Sequence, residues 1–128
     1  MELLELTDDT IEKVFLDNSI YLKQGIKIDE CKFVRCNFVT SLRAAKLGNR
    51  LFFEGCSTKH NHGIVSACVG GYTMYVYKNT EHRISVGCRN LSVKQARKHW
   101  VGWHMRGEDH ATRMIRMMEF LIEEYEAL

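Results

Sequence analysis

The stretch Arg83–Trp100 constrains the fold most, because the side-chain period changes within it. Ile84 and Val86 alternate with Arg83, Ser85 and Gly87, the two-residue period of a strand, and Cys88 continues the inward register as a small hydrophobe. The period then becomes helical at a start signal. Ser92 is an N-cap, Gln95 completes a capping box, and Leu91 and Ala96 are placed as a hydrophobic staple. Arg89 and Asn90 fall at this junction, where the unpaired N–H groups of a helix N-terminus can hold an anion.

Upstream the chain reads as β. Leu3, Leu4 and Leu6 suit an edge strand and Thr7-Asp8-Asp9 a turn. Residues 10–16 read as a strand from the β-rich composition that follows, although Ile11, Val14 and Phe15 also have helical spacing. A five-residue rhythm runs through Ile11, Leu16, Tyr21, Ile26, Cys31 and Cys36, and Ile28, Phe33 and Phe38 each follow two places after the last three. The segment Arg50–Cys56 is a further short strand, and 57–63 is a polar loop. Ile64–Val69 and Tyr72–Tyr77 are strands joined at Gly70-Gly71, and the second forms a hairpin with Arg83–Cys88.

Two helices end the chain. The first runs from Val93 to about Trp103. The second starts at Glu108-Asp109 and buries Ala111, Ile115, Met118, Ile122 and Tyr125, with Met114, Met117 and Leu121 broadening the stripe. A length of 128 residues suits one domain, and the order is that of an α+β fold: a curved antiparallel sheet followed by two helices. No apolar run approaches the roughly 18 residues of a membrane span. The start, Met1-Glu2-Leu3-Leu4-Glu5, lacks the basic region of a signal peptide. Five cysteines at irregular spacing suit reduced thiols and a cytoplasmic setting.

Charge is segregated. Residues 1–40 hold 5 Lys/Arg against 8 Asp/Glu, a net −3; residues 41–106 hold 11 against 2, a net +9; residues 107–128 hold 2 against 6, a net −4. Either the basic middle meets an anionic partner, or the acidic ends pack beside it.

Several chemistries compete for the functional residues. Cys56, His60, His62 and Cys68 are ligand types for zinc, but their spacing matches no usual zinc pattern. Cys88 with His82 or His99 would be a nucleophile pair. The basic segment offers only Glu54 and Glu81 for carboxylate acid–base work, and no glycine-rich phosphate loop is present. Ligand binding has more material. Arg89 and Asn90 supply donors, Arg97, Lys98 and Arg106 add charge, and Tyr75, Tyr77, Trp100 and Trp103 add stacking faces, unless Tyr75 and Trp100 belong to the core. No cofactor is expected.

Three resemblances bear on these residues. Cys31-Lys32-Phe33-Val34-Arg35 and Cys36-Asn37-Phe38-Val39-Thr40 resemble pentapeptide-repeat sequence, which implies short strands with Cys and Phe pointing into a narrow coil. The match covers about 15 residues, too few stacked units for a free-standing β-helix, so a curved β-ribbon is expected. Val86-Gly87-Cys88-Arg89 with Ala96-Arg97-Lys98-His99-Trp100 resembles a "G-C-R … E-A-x-x-H-W" module of small phage and prophage proteins, with Gln95 in place of the acidic residue. The order of β-rich part and two helices is similar to the phage Thoeris anti-defence proteins. That similarity implies a homo-oligomer that sequesters a cyclic ADP-ribose or cyclic nucleotide signal without cleaving it. It carries Arg89, Asn90 and Arg106 over as ligand contacts, with Lys27 from the β-ribbon. The alternatives are an inhibitor that grips a host protein through its basic face, and a metal-dependent nucleotide hydrolase.

Overall fold

The computed structural model describes residues 1–102 and 108–128. The N-terminal half is a coil of three turns built from nine short strands. Its first turn is β1 (Glu2–Leu6), β2 (Thr10–Ile11) and β3 (Val14–Leu16). The second is β4 (Asn18–Leu22), β5 (Lys27–Asp29) and β6 (Cys31–Val34), and the third is β7 (Asn37–Phe38), β8 (Lys46–Leu47) and β9 (Leu51–Glu54). Each strand pairs in parallel with its counterpart one turn on, giving three three-stranded parallel sheets. Glu2 aligns with Asn18, Thr10 with Ile28 and Cys31 with Leu51. The expected antiparallel ribbon is therefore replaced here by a parallel coil.

The five-residue rhythm is real, but its phase changes within the second turn, between β4 and β5. Phe15 and Ile20 are buried, whereas Leu16 and Tyr21 are 55% and 42% exposed and Ile11 is 53% exposed. From Ile26 onward the expected positions are the buried ones: Ile26, Ile28, Cys31, Phe33, Cys36 and Phe38. The shift falls between Ile20 and Ile26, where Gly25 takes a φ of +85° and lets the corner absorb one extra residue. Other corners place Glu12, Asp17, Glu30 and Arg35 at φ between 49° and 58°, a conformation that costs on the order of 1 kcal/mol each. Stacking offsets that cost. The Asp17 N–H donates to Val34 O, the Arg35 N–H donates to Glu54 O, and the Arg35 guanidinium sits 2.7 Å from the Asp17 carboxylate one turn below.

Inside the coil, Phe15, Phe33 and Phe53 stack with centroids 5.2 and 5.6 Å apart. The thiols of Cys31, Cys36 and Cys56 donate to carbonyls of the preceding turn, at Thr10, Phe15 and Phe33. Fixed lateral spacing of parallel strands sets the ladder, since like residues recur about one interstrand distance apart.

The C-terminal end of the coil is closed by an antiparallel sheet of β10 (Val65–Val69), β11 (Tyr72–Lys78), β12 (His82–Val86) and β13 (Arg89–Ser92). Two tight turns order it: Gly70-Gly71, both at positive φ, and Gly87-Cys88, with Gly87 at φ +57°. Cys88 is thus an exposed turn residue rather than an inward strand residue, and Arg89–Ser92 is a fourth strand that the alternation pattern alone did not separate from the hairpin. Tyr75 and Tyr77 point into the coil, where Tyr75 tops the ladder 5.2 Å from Phe53. Met74, Val76 and Ile84 point the other way, into a second core.

Two helices cover that second face. In α1 (Val93–Val101), Ser92 Oγ accepts from the Gln95 N–H at 3.2 Å and Gln95 Oε1 accepts from the Ser92 N–H at 2.9 Å, so the expected capping box is formed. In α2 (Glu108–Glu126), Met114, Met118, Leu121 and Tyr125 are buried against the sheet. The molecule is α+β, with the antiparallel sheet as the shared wall between two apolar clusters. Among the described residues no helix is long and apolar enough to cross a membrane.

Candidate functional site

Strand alternation decides which candidate residues can meet. On β13, Arg89 and Leu91 lie on the helix side, while Asn90 pairs with Ser85 and faces the coil. Below α1 the sheet leaves a cleft of about 250 Å³, walled by Tyr72, Ile84, Val86, Leu91, Trp100 and Met114. Gly87, Cys88, Arg89 and His99 complete its lining. Among the described residues its only cationic side chain of fixed charge is Arg89, and none of them brings a carboxylate to it. Burial and the neighbouring Arg89 both push the His99 imidazole below its ordinary value, which favours the neutral ring.

The other expected ligand residues lie elsewhere. Asn90 is a clamp between the sheet and the coil: its amide donates to Leu51 O at 2.7 Å and to Tyr77 Oη at 2.9 Å, and its Oδ1 accepts from Arg83 Nε at 3.0 Å. Tyr75 is core, and its hydroxyl accepts from the Cys56 N–H at 3.0 Å, so it has no free stacking face. Arg97 is exposed on α1 and pairs with Glu119 of α2 at 2.8 Å. Lys27 stands on β5 in the middle turn of the coil, outside the cleft lining. Arg106 and Trp103 lie outside the described residues. Trp100 does line the cleft, while being 2% exposed as a core residue. Alternation places residues i and i+1 on opposite faces, and that signal separates Arg89 from Asn90.

Part of the basic middle segment is answered within the chain. Arg50 pairs with Glu30 at 2.9 Å, and Lys78 and His82 both reach Glu126, at 3.2 and 2.6 Å. These contacts hold the Glu126 carboxyl below the usual carboxylate range, with the His82 hydrogen bond as the first cause. Arg43 lies 4.7 Å over the Tyr125 ring and donates to Tyr125 Oη and to its carbonyl oxygen, joining the coil to the C-terminal end of α2. At Arg50, Lys78 and Arg97 the acidic ends do pack beside the basic middle.

The metal and nucleophile readings fare differently. Cys56 is buried, its thiol donates to Phe33 O, and burial raises its pKa, which opposes a thiolate ligand. In the His60-Asn61-His62 loop the histidines are exposed and Asn61 is the structural residue. Asn61 accepts from the N–H groups of Leu42 and Gly63 and donates to Thr40 O. Among the described residues no three His, Cys, Asp or Glu side chains are grouped to hold a metal ion. Cys88 and His99 do share the cleft lining, while His82 is engaged with Glu126. Sequence reasoning missed Tyr72, Leu91 and Met114 as cleft walls, because they come from β11, β13 and α2 and meet only when the sheet is covered. Comparison with protein-family models, with curated proteins and with solved structures gives no match.

Proposed function

We propose that the protein binds, without transforming it, a small anionic nucleotide in the cleft beneath α1, and so sequesters a signal of the cyclic nucleotide or cyclic ADP-ribose class, as a phage counter-defence protein would. The observation that carries the reading is the pairing of an apolar cleft with one guanidinium, Arg89, in its lining. The volume lies just below the roughly 300–1,000 Å³ usual for small-molecule pockets, which suits one base with its ribose. A phosphate attached to that ribose would take the bidentate fork of Arg89, and the apolar walls would strengthen this contact by excluding water. Binding rather than turnover is favoured because, among the described residues, the lining offers the Arg89 guanidinium to hold an anion and no carboxylate for acid–base work. The rival reading, a host protein gripped by the basic face, is weakened by the ion pairs that the basic segment makes with the acidic ends.

The test is to incubate the purified protein with a panel of cyclic mononucleotides and cyclic ADP-ribose isomers, remove free ligand, heat the complex and identify what is released. Intact ligand recovered from the wild type and lost with Arg89→Ala supports sequestration in this cleft. Altered ligand would make the protein an enzyme, and no binding across the panel would remove the nucleotide reading.

A further inference from the structure

The outward face of α2 carries a pattern that the cleft does not use. Asp109, Arg113, Arg116, Phe120, Glu124 and Ala127 recur at three- and four-residue intervals and share one stripe, opposite the buried stripe on the sheet. Phe120 lies within this stripe and is 52% exposed, so its ring is presented on the outward face of the helix. Two surface grooves meet at this ring. One is lined by Arg113, Arg116 and Met117, and the other by Glu124, Leu128 and the His60–His62 loop.

The charges around Phe120 are ordered. The cations Arg113 and Arg116 lie in the two turns before it, with Asp109 at the far N-terminal end of the stripe, and the anions Glu123 and Glu124 follow it. Neither these arginines nor these glutamates make an ion pair among the described residues, whereas Glu119 and Glu126 on neighbouring faces are paired within the chain. Glu123 and Glu124 also sit near the helix C-terminus, where the backbone dipole disfavours negative charge. A helix of this kind is complementary to its own reverse. Turned through a two-fold axis near Phe120, a second α2 brings its arginine half to the glutamate half of the first, and the two Phe120 rings meet at the axis.

We infer that this face is a homodimer seam, in which two copies pack their α2 helices antiparallel, with Arg113 and Arg116 of each copy against Glu123 and Glu124 of the other. An isologous contact needs one self-complementary patch, and this stripe is one. A parallel pairing would oppose like charges along its whole length. The helix is roughly 28 Å long, so the seam is smaller than a standard interface and the dimer dissociates on dilution. The inference is independent of what occupies the cleft.

Light scattering or sedimentation of the full chain over a concentration series tests it. The wild type is expected to pass from the mass of one chain to that of two as concentration rises. Arg113→Glu with Arg116→Glu, and separately Glu123→Arg with Glu124→Arg, should each hold the chain at monomer mass, because each gives the two turns before Phe120 the same sign as the turn after it. An equimolar mixture of the two variants should recover the dimer mass, since every contact is again between opposite charges. Phe120→Ser, at an exposed position, should also give a monomer with unchanged circular dichroism, which guards against misfolding of the charge variants. A wild type of single-chain mass throughout, a dimer that survives all of these changes, or a mixture that stays monomeric would overturn the inference.

Discussion

Asn90→Ala separates a ligand residue from a structural clamp. The Asn90 side chain makes three hydrogen bonds: two donated by its amide, to Leu51 O and Tyr77 Oη, and one accepted from the guanidinium of Arg83. Arg83 has a side chain only 7% exposed, so a lost acceptor is not fully replaced by water. A neutral hydrogen bond contributes about 1 kcal/mol and one to a charged group about 1.5–3 kcal/mol, so the three together come to about 4 kcal/mol. Arg83 keeps Glu81 Oε1 and the backbone oxygen of Asn90, which reduces the loss to about 3 kcal/mol. For a chain of this size that corresponds to a fall in Tm of about 10 °C. Arg89→Ala, one residue away but exposed and on the opposite face, should change stability by no more than about 0.5 kcal/mol. Thermal and urea unfolding of both variants give the comparison directly. An Asn90→Ala protein that melts with the wild type would show that the seam between coil and sheet is held otherwise, and the reasoning would fail.

Two further outcomes follow from the coil and the cleft. Phe15→Ala, which removes a buried ring stacked on Phe33, should cost about 3 kcal/mol, while Leu16→Ala should be nearly neutral; equal losses in denaturant unfolding would refute the inward phase of the first turn. The His99 pKa is depressed in the folded state, so the unfolded chain binds more protons as pH falls through 6.5, and this group's contribution to stability is present above that value and diminishes below it. An anion held beside Arg89 would bind more tightly on acidification, because imidazolium adds a second positive charge to the lining; calorimetric titration across that pH range checks the sign, and affinity that falls on acidification would contradict it.

Local signals were readable wherever adjacent residues determine the structure. The capping box at Ser92 and Gln95 and the paired glycines at 70–71 stand in the structure as the chain spells them, and α2 buries the expected face with its centre moved to Met114, Met118, Leu121 and Tyr125 while Ala111, Ile115 and Ile122 are half-buried. The resemblance of Cys31–Thr40 to pentapeptide-repeat sequence implied short strands with inward Cys and Phe. It could not show whether successive turns lie parallel, because parallel pairing joins residues 16 to 20 positions apart, such as Glu2 with Asn18 and Cys31 with Leu51.

The candidate site divides in the same way. Arginine beside aromatics in a basic segment is a property of the chain, and Arg89 with Trp100 is what remains of it in the cleft. Asn90, Tyr75 and Arg97 were removed by contacts with Leu51, Cys56 and Glu119, partners distant in sequence. Composition and spacing by themselves determined the element types, the helix start and the charge segregation, since those depend on local backbone chemistry and on simple counting. Only the tertiary structure decided which face of each strand is wet, which charges are already paired and where a cavity remains, because these are set by what another part of the chain covers.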